Sequence, residues 1–263
     1  MGFSLTMVTS GSQNAAPRRV GGSEGPPETA DVETSSDAYA ARFAGPAGEW
    51  MLRVQERILL GWAAAHPGAA VLDVGGGHGQ AALPLSRCGH RVTVLGSAPA
   101  CARRIRGEVD AGRIAFAVGD LVALPYPDRA FDLVIALRLL PHCGRWRTLI
   151  AELCRAARQC VIVDYPTVQS VNVLTPALFK AKQRLEGDTR PYAFFRHAAI
   201  EAEFGRHGFA RAARRPQFLL PMVLHRALKR PGLSAFLEGL GRGAGLTRLL
   251  GSPVLLKMSR RAG

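Results

Sequence analysis

One ten-residue stretch limits what this chain can fold into more than any other: Val71-Leu72-Asp73-Val74-Gly75-Gly76-Gly77-His78-Gly79-Gln80. Apolar residues of buried-strand character run through an acid into a cluster of glycines. The next residues, Ala81-Ala82-Leu83-Pro84-Leu85-Ser86, read as the start of a helix. A strand that turns into a helix across glycines lets a ligand lie against bare backbone at the helix N-terminus. In a parallel sheet such a turn falls at the carboxyl edge, where nucleotide-type ligands bind. The spacing narrows the ligand. If Gly75 and Gly77 open a dinucleotide fingerprint, its third glycine belongs at position 80, which holds Gln80. The third glycine is instead Gly79, and Asp73 stands just ahead of the cluster.

Beyond this turn, apolar runs and helical patterns alternate, which predicts an α/β fold: a doubly wound, mostly parallel seven-stranded sheet with helices on both faces. Strands are expected at 70–74, 91–95, 114–118, 131–136, 160–164, near 209–214 and at 253–259. Ahead of them, Ser36-Asp37 is a plausible N-cap for a first helix carrying Tyr39 and Phe43. A second helix over 47–65 repeats Trp50, Val54, Ile58 and Leu59 at helical spacing. Further helices are expected at 100–109, 146–157 and 198–207. Residues 1–36, rich in Gly, Ser, Pro, Glu and Thr, lack the large apolar groups needed to offset ordering entropy and are expected to form a disordered tail. The domain proper then runs over 37–263, with insertions at 167–197 and 218–250.

The apolar fraction of 48% suits a full globular core. Five cysteines without C-x-x-C spacing read as reduced, mostly buried thiols rather than a disulfide frame or zinc site. Met1 to Val8 has no basic region followed by a long apolar run, and no apolar stretch reaches the length of a bilayer span. A cytoplasmic location is therefore expected, with peripheral membrane contact as an option. The net charge of +14 is concentrated toward the C-terminus, where Glu238 is the only acid after Gly205. Such a surface suits anionic lipid, RNA or an acidic substrate, and equally a high arginine content with no such role.

The D-x-G-x-G-x-G pattern of Asp73, Gly75, Gly77 and Gly79 resembles motif I of class I S-adenosylmethionine-dependent methyltransferases. Other segments fall in the family's order. Gly119-Asp120 follows the third strand. Leu124-Pro125-Tyr126-Pro127-Asp128-Arg129-Ala130-Phe131-Asp132 is similar to its L-P-F-x-D-x-x-F-D segment. Glu152 and Arg155 match its E-x-x-R helix. The chain looks like a small-molecule enzyme of the broad group that includes ubiquinone and menaquinone biosynthetic methyltransferases. The resemblance implies S-adenosylmethionine as cofactor, with Gly75, Gly77 and Gly79 along its methionine part and Asp73 serving turn amides or the cofactor's ammonium group. Asp120 would accept from the adenine amine, Leu121 would donate through its backbone, and Asp132 would be structural.

One position departs from the family. The acid that ends its second strand and takes the ribose hydroxyls aligns with Gly96, and Ser97 is a partial substitute. Losing a bidentate charged acceptor costs roughly 1.5–3 kcal/mol of binding, unless the acid comes from elsewhere. For catalysis, alignment supplies much of the rate, and a hydroxyl acceptor also needs a base. His142, after the fourth strand, is the first choice as base or positioning residue, with a structural histidine as the plainer reading. His197 and Tyr192 are second choices. His78 is expected to face solvent or the cofactor, and Tyr39 and Phe43 to be core aromatics, with closing the pocket from the first helix as their alternative role. No residues have metal-ligand spacing. The insertions at 167–197 and 218–250 are expected to cover the acceptor. The run Phe218–Leu224 beside Arg226, Lys229 and Arg230 suits shallow docking on an anionic membrane, or a plain packed helix with a solvated face. The favoured function is methyl transfer, preferentially to oxygen, on a small apolar or aromatic acceptor. Alternatives are an RNA methyltransferase, for which no N-P-P-Y-like segment is present, and a non-catalytic partner-binding subunit.

Overall fold

A computed structural model describes residues 26–170 and 192–261. Seven strands form one sheet: β1 (Ala70–Val74), β2 (Arg91–Gly96), β3 (Ile114–Val118), β4 (Phe131–Ala136), β5 (Ala157–Tyr165), β6 (Phe209–Pro216) and β7 (Val254–Arg260). Their spatial order is β3-β2-β1-β4-β5-β7-β6, parallel except for β7, which runs antiparallel between β5 and β6. The chain reverses its direction of winding between β1 and β4, and the crevice above that point is where such sheets hold ligands.

Among the described residues the helices are α1 (Ala30–Thr34), α2 (Asp37–Ala41), α3 (Gly45–Ala63), α4 (Ala82–Arg87), α5 (Arg106–Asp110), α6 (Trp146–Ala156), α7 (His197–Arg206), α8 (Met222–Leu228), α9 (Pro231–Gly243) and α10 (Leu246–Leu250). The central strands are apolar on both sides because helices cover both faces. Leu72, Val74, Val134 and Val161 pack in one cluster with Leu149 and Leu153 of α6 and Phe204 of α7. Val71, Val94, Leu133 and Ile162 pack in the other with Leu59 of α3 and Leu85 of α4. Successive strand residues point to opposite faces, so each strand feeds both clusters.

Several elements depart from the sequence reading. Residues 1–25 and 171–191 lie outside the described residues, and with them most of the expected tail and of the first insertion. Residues 30–34, expected in the tail, form α1, with Ala30 and Asp31 buried. Ser36 caps α2 as expected, its hydroxyl accepting from the Tyr39 amide at 3.1 Å. The buried stripe of α3 carries Leu59, as expected, with Met51 and Gln55, while Trp50, Val54 and Ile58 are only partly buried. The helix expected over 100–109 is a 3-10 run, Pro99–Ile105, followed by α5. The second insertion is the three-helix segment α8, α9 and α10. Asp132 is structural, but it ties strands together: it accepts from the Ala70 amide at 2.9 Å and from Arg158 at 2.7 Å. All five cysteines are free thiols, four of them buried.

The L-P-Y-P-D segment and the E-x-x-R pair form one unit. Arg155 reaches Glu152 at 2.7 Å, Asp128 at 3.0 Å and the carbonyls of Tyr126 and Leu124, while Glu152 accepts from the Leu124 amide at 2.7 Å. A loop with too few backbone partners of its own is thereby fastened to α6, which sets the path of the chain between Asp120 and β4.

Candidate active site

The glycine turn folds as its composition requires. Gly75 follows β1 with φ +72°, a left-handed conformation open to glycine at little cost, and Gly76–His78 form a 3-10 turn. A Cβ on Gly77 would stand 2.2 Å from the carbonyl oxygen of Cys101. The turn therefore passes against the loop after β2 with no space for a side chain. Gly79 (φ +80°) serves packing instead, its open side meeting Leu83 and Ile105.

Asp73 is buried behind this turn. It accepts from the Ala82 amide at the head of α4, its Oδ2 has no partner, and burial raises its carboxyl to about 7. Asp120, past the end of β3, accepts from the Val122 amide at 3.0 Å, and Leu121 is fully buried. Ser97 follows β2. Asp73, Gly75, Gly77, Ser97 and Asp120 thus line one edge of the sheet, as the sequence reading expects.

Sequence reasoning missed the segment that covers this edge. Asp31 of α1 is completely buried and accepts both from the Ser97 amide at 2.8 Å and from the Ser97 hydroxyl. Its Cβ lies 3.2 Å from where a Gly75 Cβ would be, the Ser35 hydroxyl stands over Gly77, and the Glu28 amide reaches Asp120 at 3.4 Å. The cavity left among Thr34, Asp73, Gly75, His78 and Arg138 measures about 20 Å³, room for about one water. Small-molecule sites measure several hundred Å³. The only hint in the sequence is an acid in a polar flank, which no periodicity marks.

Beside the cradle, a second cavity of about 110 Å³ opens between α2, α3 and the segments after β4 and β5. Its walls include Tyr39, Phe43, His142, Tyr165, Tyr192 and Phe218. His142 closes a 3-10 turn after β4, with its ring centroid 5.3 Å from that of Tyr192. His197 is set back from the cavity, its Nδ1 3.0 Å from the Tyr165 hydroxyl. His78 lines the small cavity over the glycine turn. Its ring packs between Tyr39 and Phe43, both nitrogens lack partners, and burial, with Arg138 and Arg104 nearby, lowers it to about 3. It is a neutral ring in an aromatic cluster. Tyr39 and Phe43 are buried and also line the cavity.

A polar network that the sequence did not reveal joins the two cavities. Asp164, buried at the end of β5, accepts from the Arg138 amide and from Gln55 Nε2 at 3.0 Å, and Gln55 Oε1 in turn accepts from Gln80. Arg138 (φ +59°) lines both cavities, holds its guanidinium 4.2 Å from the Phe43 ring centre, and has a buried Nη1 without a partner. Burial raises the Asp164 carboxyl, opposed by these hydrogen bonds and by the Arg138 charge. Among the described residues no group of His, Cys, Asp and Glu is arranged to hold a metal.

The fold and the glycine cradle together define a Rossmann-like cofactor-binding enzyme. Residues 71–159 match the family described as a methyltransferase domain. Malonyl-[acyl-carrier protein] O-methyltransferase of Pectobacterium atrosepticum is 27% identical over 217 residues, 81% of this chain and 84% of that one. 27-O-demethylrifamycin SV methyltransferase of Amycolatopsis mediterranei is 31% identical over 122 residues, 43% of this chain and 44% of that one. Among solved structures, magnesium protoporphyrin IX methyltransferase of Synechocystis with bound S-adenosylhomocysteine superposes with a TM-score of 0.59 at 16% identity, covering 88% of this chain and 98% of that one. Residues 71–159 form a methyltransferase domain, and the protein is an S-adenosylmethionine-dependent enzyme.

The residues beneath α1 fit that cofactor in kind: a bare glycine turn, an unpartnered buried carboxylate oxygen on Asp73, the Ser97 donors and the Asp120 carboxylate. The space fits only if residues 28–35 move, because Asp31 already holds the Ser97 donors.

Proposed function

We propose that this enzyme methylates an oxygen atom of a small apolar or aromatic acceptor seated in the cavity between α2, α3 and the segments after β4 and β5. The observation that carries the reading is the placement of that aromatic-walled cavity against the glycine cradle, with Arg138 lining both. The names of the two curated relatives, both referring to methylated oxygen, support oxygen as the target.

In this reading Gly75 and Gly77 offer backbone to the methionine part of the cofactor. Asp73 neutralises its ammonium group, Ser97 turns its donors to the ribose, and Asp120 takes the adenine amine beside Leu121. Gly79 holds the turn. The bound cofactor supplies a methyl group already activated on a sulfonium, so the protein's work is alignment. His142, on the cavity wall, takes the proton that an acceptor hydroxyl loses. The unpartnered Nη1 of Arg138 stabilises negative charge on the acceptor oxygen. We place the enzyme in the cytoplasm, where five free thiols remain reduced.

Calorimetric titration with S-adenosylhomocysteine tests the cofactor half. Asp120→Ala should weaken binding by about one to two decades, the loss expected for a charged hydrogen-bond partner. Folded protein that binds no S-adenosylhomocysteine, in either form, would remove the basis for catalysis. With candidate acceptors, His142→Ala should depress kcat while leaving S-adenosylhomocysteine affinity unchanged. An unchanged kcat would take the base role away from His142.

A further inference from the structure

The helix α9 is built inside out. Ser234, Glu238 and Gly241 face the protein, and a Cβ on Gly241 would stand 2.7 Å from Leu219. Leu233, Phe236 and Leu240, spaced to share a face, point to solvent, with Phe236 62% and Leu240 57% exposed. The neighbouring helices extend the pattern. Val223 of α8 and Leu249 of α10 are exposed, at 55% and 67%, while His225 and Thr247 are buried. The polar interior is organised around Glu238. Glu238 accepts from the amides of Leu219 and Leu220, each at 2.9 Å, and faces His225 Nε2 at 3.0 Å. The apolar face is therefore fixed outward by the buried hydrogen bonds of the other side. Apolar patches of this kind on an otherwise charged protein mark surfaces that something covers.

The charges around the patch identify what covers it. Lys229, Arg230, Arg242 and Arg248 are exposed around it, and Glu238, the only acid after Gly205, is completely buried. No acid in this region stands on the surface to answer those cations. A second copy meeting this face about a two-fold axis would set arginines against arginines. A nucleic acid would satisfy the cations but gain little from a row of leucines, since bases are held by stacking on aromatic or guanidinium planes. An anionic bilayer answers both features: apolar side chains enter the boundary between headgroups and acyl chains while basic side chains meet lipid phosphates.

We propose that α8, α9 and α10 dock the enzyme on anionic membrane through Val223, Leu233, Phe236, Leu240 and Leu249, with Lys229, Arg230, Arg242 and Arg248 against the headgroups. Of the run Phe218–Leu224 favoured on sequence this keeps Val223 and drops Phe218, which is buried and packs on Trp50. The docking face also adjoins the acceptor cavity. Met222 lines that cavity and Val223, the next residue, points outward. Resting on the reading of that cavity as the acceptor site, docking would let an acceptor dissolved in the membrane enter beside α8.

The test is co-sedimentation of the full chain with vesicles of phosphatidylcholine alone and of phosphatidylcholine mixed with phosphatidylglycerol. The chain should pellet with the anionic vesicles, with salt reducing but not abolishing the binding. A Phe236→Ser/Leu240→Ser/Leu249→Ser variant should lose at least tenfold in affinity for them while keeping its circular dichroism and its S-adenosylhomocysteine affinity. Arg242→Gln/Arg248→Gln should lose the preference for anionic over neutral vesicles. Failure of the native chain to pellet with either vesicle would overturn the proposal. So would unchanged vesicle binding by the serine variant, salt-sensitive RNA binding without vesicle binding, or a dimer that the serine variant dissolves. S-adenosylhomocysteine titration reports on the cofactor site separately, so failure of either reading is distinguishable.

Discussion

Replacing Asp31 by alanine tests how the cofactor gains its site. In the structure its carboxylate takes the Ser97 amide at 2.8 Å and the Ser97 hydroxyl. Charge-assisted bonds of this kind contribute about 1.5–3 kcal/mol each, against which stands the cost of burying the carboxylate. A net hold of about 2 kcal/mol keeps α1 seated about thirty times as often as not, and weakens apparent cofactor affinity by the same factor. Asp31→Ala should therefore tighten S-adenosylhomocysteine binding by up to about thirtyfold in calorimetry. Ala30→Glu evicts the helix by another route, since a charge cannot stay at a position only 1% exposed, and it should act in the same direction. In the native chain, adding S-adenosylhomocysteine should speed hydrogen exchange at the Ser35 amide, which is bonded to the Asp31 carbonyl at 2.8 Å in the seated helix. Weaker binding in Asp31→Ala, together with slower exchange at Ser35 on adding ligand, would refute the reasoning. Asp31 would then belong to the occupied site as the acid missing from β2.

Asp73 sets a pH dependence of stability. Its carboxyl is held at about 7 against an ordinary 3.8, so between those values the folded protein keeps a proton that the unfolded chain has released, and stability falls as pH rises, by about 4 kcal/mol in all. Urea unfolding at about pH 5 and about pH 8 should show Asp73→Asn gaining on the native chain at the higher pH, and an equal gap at both would contradict the assignment. Glu238→Ala leaves two amides and His225 without their acceptor and should cost about 3–5 kcal/mol in thermal unfolding. The Glu238 carboxyl is held low by these hydrogen bonds, so its contribution is present above the ordinary carboxylate range and fades as pH falls through the lowered value. Gly96→Asp, which writes the family's acid back into β2, should lower stability by about 1–3 kcal/mol without tightening S-adenosylhomocysteine binding, and tighter binding by a stable variant would refute that.

The central sheet was legible because parallel strands covered on both faces read as near-continuous apolar runs, as in Ile114–Val118, Leu133–Ala136 and Cys160–Val163. The cradle was legible because glycine is the residue that a left-handed turn packed against backbone demands. What stayed hidden depends on contacts between distant residues. Gln55, Arg138 and Asp164 meet from three elements, and none stands out locally. The polar Gln55 belongs to the inward stripe of α3 because it has Asp164 and Gln80 to bond, so hydrophobicity alone picked out Leu59 of that stripe and passed over Gln55. In α9 the same rule failed in reverse. The buried side is the polar one, because Glu238 satisfies the amides of Leu219 and Leu220.

Gly96 and Asp31 express one packing decision. A Cβ at position 96 would come 2.8 Å from the Cβ of Cys101 and 3.0 Å from the ring of Phe116. Both neighbours belong to the core cluster beneath the sheet, and the Gly96 carbonyl accepts from the Gly119 amide at 3.0 Å. The end of β2 is closed around a glycine, and an acid there would have to open it. The carboxylate at this edge comes instead from α1, a short helix outside the closed packing. The same substitution that removes a fixed ribose acceptor thus leaves the Ser97 donors to whichever carboxylate or hydroxyl reaches them, and in this structure the protein's own N-terminal segment does.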